Sequence, residues 1–222
     1  MAVQELVWDE TGKRFYETGV SKAVLYLQDA NGAYPKGVAW NGMSAVTESP
    51  SGAEATAIYA DNIKYLNLRS AEEFKATMEA YTYPDEFAEC DGSKEIVKGV
   101  TIGQQPRSAF GLCYRTEVGN DVKSDDYGYK LHFIYGATAT PSEKAYKTVS
   151  DSPEAIAFSW SVDTVPVNVT GAKPTATLVV DSRTTDATKL AALEKIIYGS
   201  SEGEARMPLP NEIITLIGTD AG

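Results

Sequence analysis

The chain has 222 residues, 43% of them hydrophobic, and its 31 acidic against 20 basic side chains leave a formal net charge of −11 at pH 7. That length and hydrophobic share give a globular domain able to bury its own core, and they exclude a disordered chain. The acidic balance excludes nucleic-acid binding by phosphate neutralisation, and no apolar run approaches the roughly 18 residues that span a membrane.

Residues 1–19 read as a polar N-terminal arm, and residues 20–222 as a single β domain. A first strand is expected over residues 20–28, closed by the turn signal Asn31-Gly32, and a second over residues 38–47 before the Ser49-Pro50-Ser51-Gly52 break. Residues 54–68 read as extended. Next, Phe74, Ala76, Met78 and Ala80 alternate with Lys75, Thr77, Glu79 and Tyr81. A period of two places one face on a core and the other on solvent or a partner. Ala, Glu, Lys and Met favour helices, but on a helix those apolar residues would wrap around the axis, so a strand is predicted. Pro84 opens one short helical turn that ends at Asp91-Gly92.

Residues 108–118 and 129–138 predict a long hairpin around a polar loop at 119–128. Further strands are expected at 155–165 and 175–181. One helix is signalled by Asp186 as N-cap, by Leu190, Leu193 and Ile197 on one face, and by Gly199 beyond its end. After Met207-Pro208-Leu209-Pro210, residues 212–217 read as a closing strand. The expected fold is mainly β: a β-sandwich or partly closed barrel with one packed α-helix.

Chemistry is sparse. His132 is the only histidine, and a lone histidine in a strand is expected to be structural. Cys90 and Cys113 lack metal-site spacing and read as free thiols. Asp121, Asp125 and Asp126 do not follow the ligand pattern of a calcium loop, and no phosphate-cradling glycine motif is present. No cofactor, no metal and no enzymatic activity are expected. Residues 1–18 carry no apolar signal region, so synthesis in the cytoplasm is expected.

The segment Ala57-Ile58-Tyr59-Ala60-Asp61-Asn62-Ile63-Lys64-Tyr65 resembles one found in major tail proteins of long-tailed, non-contractile bacteriophages. The alternating strand running into Pro84-Asp85-Glu86-Phe87 sits in the order of that family. The hairpin through Phe110-Gly111-Leu112-Cys113-Tyr114 and Tyr129-Lys130-Leu131-His132-Phe133, and the close around Asp186, Tyr198-Gly199 and Leu209-Pro210-Asn211-Glu212-Ile213, are similar too. The resemblance implies a tail-tube subunit of the virion. Such a subunit forms stacked, usually hexameric rings around a lumen that DNA crosses without specific binding. Its implied partners are itself and other tail proteins: the tape measure, the tail tip and the tail terminator.

On that reading, residues 54–83 and 108–138 supply the inner barrel, and Glu73, Lys75, Thr77 and Glu79 face the lumen. Asn120, Asp121, Lys123, Asp125 and Asp126 form a contact loop between rings that is flexible in the monomer, as are residues 1–18. Rival readings are a carbohydrate-binding or adhesin β-sandwich and a hydrolase with clustered carboxylates.

Overall fold

The computed structural model describes residues 5–149 and 155–218. Its strands are β1 (Phe15–Leu27), β2 (Gly37–Ala39), β3 (Met43–Glu48), β4 (Ser51–Gly52), β5 (Ala55–Ala60), β6 (Ile63–Arg69), β7 (Glu72–Glu73), β8 (Lys75–Ala80), β9 (Lys94–Val97), β10 (Val100–Ile102), β11 (Phe110–Asn120), β12 (Ser124–Ala139), β13 (Phe158–Thr164) and β14 (Thr177–Asp181). A 3-10 turn (Asp85–Glu89) lies between β8 and β9, and two helices, α1 (Ala187–Tyr198) and α2 (Pro210–Gly218), close the chain. None of the described helices is long and apolar enough to cross a membrane.

One antiparallel sheet runs in the order β2-β1-β11-β12-β13-β8-β3, and β14 also pairs with β12. It curls until β3 lies beside β1 without pairing to it, so the barrel stays open. The central strands are apolar at consecutive positions, and consecutive residues point to opposite faces. Leu25, Leu112 and Ile134 enter a core inside the curl with Ala76, Met78, Trp160 and Val162. Val24, Cys113 and Phe133 enter a second core outside it, covered by Leu190, Leu193 and Ile197 of α1 and Ile213 of α2.

Gly136 divides β12 between these environments. Leu131, Phe133 and Tyr135 point to the helices, whereas Ala137 and Ala139 point into the curl. The pairing with β11 slips by one residue there, from Leu112↔Ile134 to Phe110↔Ala137. This is a β-bulge, and Gly136 supports it with a φ of +58°, which glycine adopts at little cost. A Cβ at this position would also collide with the Val165 carbonyl oxygen. Before the bulge β12 pairs with β14, and after it with β13.

Trp160 centres the inner core. Its ring lies 5.1 Å from Phe87, 5.4 Å from Tyr83 and 5.8 Å from Trp40, centroid to centroid. Its indole N–H donates to Asp91 Oδ1 at 3.1 Å, and that buried carboxylate also pairs with Lys144 and lies 3.9 Å from Arg107.

The mainly β expectation holds, and α1 forms as read: Asp186 accepts from Thr188 N at 2.9 Å and Lys189 N at 3.1 Å. The short turn after Pro84 also forms. Residues 212–217, however, are not a strand. They lie in α2, whose first residue is Pro210, and Ile213, Leu216 and Ile217 fall at helical spacing against the outer core. Proline favours that first helical position because its missing N–H would have no partner there anyway. The described residues therefore hold two packed helices instead of one.

The strand expected over 38–47 splits into β2 and β3 at Asn41-Gly42, and the first strand starts at Phe15, within the expected arm. Residues 1–4 of that arm lie outside the described residues.

Candidate assembly surfaces

The four residues expected to face a lumen lie on or beside β8. Ala76, Met78 and Ala80 are buried, while Lys75, Thr77 and Glu79 point away from the core. β8 is flanked on both sides, with Ser161 of β13 and Thr47 of β3 opposite Thr77, and Asp163 opposite Lys75. Lys75 Nζ lies 3.4 Å from Asp163 Oδ1 and 3.7 Å from Glu73 Oε2. The result is a polar sheet face carrying three carboxylates, those of Glu73, Glu79 and Asp163, against the single ammonium of Lys75.

The expected flexible loop at 119–128 is mostly strand. β11 ends at Asn120, β12 begins at Ser124, and only residues 121–123 form the turn. Asn120 is buried to 4% exposure, its Oδ1 accepting from Val122 N and Lys123 N and its Nδ2 donating to Gly12 O at 3.0 Å. Gly12 N donates in turn to Asp121 Oδ1 at 2.9 Å, and Tyr16 Oη donates to Asp125 Oδ1 at 2.9 Å. Lys123 lies 5.7 Å above the Tyr127 ring, and Asp126 N donates to Lys123 O. The hairpin end is therefore tied to the segment before β1 by short polar side chains.

The two hairpins expected to act alike also differ. β11 and β12 form the centre of the sheet with both faces buried along residues 110–114 and 131–135. Residues 54–83 do not make one hairpin: β5 and β6 pair only with each other, and β8 pairs elsewhere.

The β5–β6 ribbon sets Ile58 opposite Leu66, Thr56 opposite Leu68 and Ala60 opposite Ile63. Alternation then gathers Ile58, Ile63, Leu66 and Leu68 on one face, and Leu68 is 56% exposed. A second ribbon, β9–β10, was not foreseen. It sets Val97 opposite Val100 and Lys94 opposite Ile102, with a bulge between. Ile96, Val97, Val100 and Ile102 consequently share a face, and Val97 is 59% exposed. The sequence signal for this hairpin was Lys98-Gly99 between two short apolar runs.

The chain exposes 14505 Å², against roughly 9,900 Å² for a compact monomer of this mass. The projecting ribbons contribute to that difference, and so do exposed Leu6, Val7 and Trp8.

His132 sits at the polar end of the curl. Its ring stacks on Tyr114 at 4.7 Å and 4°. Thr116 Oγ1 donates to Glu17 Oε1 and lies 2.9 Å from His132 Nε2, which makes Nε2 the protonated nitrogen. Nδ1 is buried without a partner and lies 3.9 Å from Glu48 Oε1, the oxygen that Tyr114 Oη already occupies. Burial pushes the His132 pKa down against the pull of Glu48 and Glu17. Burial would raise Glu17, yet hydrogen bonds from Lys130 and Thr116 carry its carboxyl below the usual range. The cluster locks strands together, and Glu17, Thr116 and Lys130 saturate one another. Cys90 and Cys113 are free and buried, and burial pushes the Cys90 thiol up to about 12.

No family model matches the chain, and no curated protein matches it. Among solved structures it is similar to a chain of the cryo-EM structure of the anti-feeding prophage (AFP) baseplate, 6-fold symmetrised. The two are 8% identical, the TM-score is 0.37, and the match covers 79% of this chain and 97% of that one. Agreement this slight carries neither fold nor function from one protein to the other.

Proposed function

We propose that this chain is a structural, non-catalytic subunit that assembles with copies of itself into the stacked rings of a phage tail tube. The observation that carries the reading is the β5–β6 ribbon. The segment resembling major tail proteins, residues 57–65, folds into a two-stranded projection whose apolar face has no partner among the described residues. An isolated hairpin is marginal in water, and an exposed apolar face of this kind marks an interaction site. Copies of the same chain are the simplest source of the missing contact.

The polar face of β8 supplies the rest. Arranged around an axis, Glu73, Lys75, Thr77 and Glu79 present a wetted, mainly acidic wall that repels phosphate and lets DNA slide. Asn120, Asp121, Lys123, Asp125 and Asp126 form a hydrogen-bonded end of the domain suited to contact between rings. Tape measure, tail tip and tail terminator proteins would complete the assembly.

Electron microscopy of the concentrated protein tests this reading, with rings or tubes as the expected result. A persistent monomer that binds glycans would replace it with the carbohydrate-binding module. In assembled particles, Glu73→Lys with Glu79→Lys should slow DNA ejection while tube length stays normal, and unchanged ejection would remove those residues from the wall.

A further inference from the structure

Self-assembly needs two surfaces that meet, and the chain offers two unlike ribbons. Both are two-stranded, both are paired to no third strand among the described residues, and in both a bulge helps collect apolar side chains on one face. Ile58, Ile63, Leu66 and Leu68 form one such face, and Ile96, Val97, Val100 and Ile102 the other. Resting on the assembly reading above, we propose that the β5–β6 ribbon of one copy packs face to face on the β9–β10 ribbon of the next.

Charge separates this pairing from the alternatives. Lys94 lies on the apolar side of β9–β10, opposite Ile102, and Lys98 stands at its turn. Glu95, the acid of that ribbon, is held by the Gly99 N–H. The ribbon therefore sets two lysines against one carboxylate on a chain of formal net charge −11. Two β9–β10 ribbons brought together would oppose lysine to lysine. The β5–β6 ribbon carries Glu54 before its first strand and Asp61 at its turn, whereas Lys64 and Arg69 pair with Tyr59 and Ala55, on the side away from Ile58 and Leu66. The unlike pair thus joins apolar face to apolar face with acids meeting lysines.

A contact between two different patches of the same chain is heterologous, so it repeats from copy to copy and closes into a ring when the rotation allows.

Cysteine pairing tests the contact. Leu66→Cys and Val97→Cys are placed in separate preparations, mixed and oxidised, the native thiols being buried. The expected product is a mixed disulfide dimer, and the doubly substituted chain should give a ladder that ends at the ring number. Leu66→Cys joining only itself, or Val97→Cys only itself, would overturn the proposal. Tubes visible by electron microscopy without mixed cross-links would overturn it and leave tube assembly standing, whereas protein that stays monomeric in both assays would overturn both. Should the cysteine variants fail to fold, Lys94→Glu with Lys98→Glu provides the second measure. Assembly should fall at least tenfold and return when Glu54→Lys and Asp61→Lys are added, and no return would reject the pairing.

Discussion

The β11–β12 hairpin and the β5–β6 ribbon are both antiparallel pairs with apolar residues, yet they meet opposite fates. Phe110, Leu112, Cys113 and Tyr114 are apolar without interruption, as are Phe133, Ile134 and Tyr135, and each face of that hairpin has a core to enter. In β6, Lys64 and Asn67 interrupt Ile63, Tyr65, Leu66 and Leu68, and no described residue covers the face that Ile63, Leu66 and Leu68 share. Consecutive apolar residues mark a strand at the centre of a domain, and interrupted ones a strand that borrows its second layer.

The largest effect that sharpens this contrast is at the centre. Trp160→Ala should cost about 3–5 kcal/mol, read as a lowered denaturant midpoint, because five aromatic or carboxylate neighbours lose their common partner. A small loss would mean the inner core is not the seat of stability. Gly136→Ala follows with at least about 2 kcal/mol, since it combines a positive φ with a backbone collision. Asn120→Ala should cost about 1–2 kcal/mol and speed proteolysis before Phe15, because Gly12 loses one of its two ties to the hairpin end. Unchanged cleavage there would separate the two segments.

The pH response should be smaller. His132 has its ordinary pKa of 6.5 lowered by burial, with Glu48 and Glu17 opposing. The unfolded chain therefore takes up a proton before the folded chain does, and stability falls as pH drops below 6.5. The carboxyl of Glu17 adds its own loss only further down, below 4.5. His132→Asn should flatten the slope in the upper window, and an unaltered slope would assign it elsewhere. Smallest of all is the effect of Leu66→Asp on folding, within about 0.5 kcal/mol, although assembly should collapse. A large unfolding effect from Leu66→Asp would erase the distinction between ribbon and body.

Local signals in the sequence carried well. Asp186, the Leu190-Leu193-Ile197 stripe and Gly199 mark α1 because capping and helical spacing act within a few residues. The alternation through Ala76, Met78 and Ala80 predicts their burial for the same reason. The failure at α2 is equally local: Ile213, Ile214, Thr215 and Ile217 favour strands individually, and Pro210 reads as a stop although it can start a helix. Pairing between distant strands is another matter. Nothing near Lys75 announces that β8 will lie between β13 and β3, since that choice is made by two cores competing for the same sheet. The candidate surfaces were half legible. The resemblance fell on the β5–β6 ribbon, while β9–β10 was too short to stand out and the polar run at 119–128 hid its internal ties.

Gly136 also acts on parity. Before it, the odd-numbered residues of β12 turn toward the helices, and after it they turn toward Trp160. Deleting that one residue, as opposed to enlarging it, would set Ala137 directly after Tyr135, and ordinary alternation would still carry Ala137 and Ala139 to the inner core. What would go is the bend by which β12 leaves β14 and takes up β13.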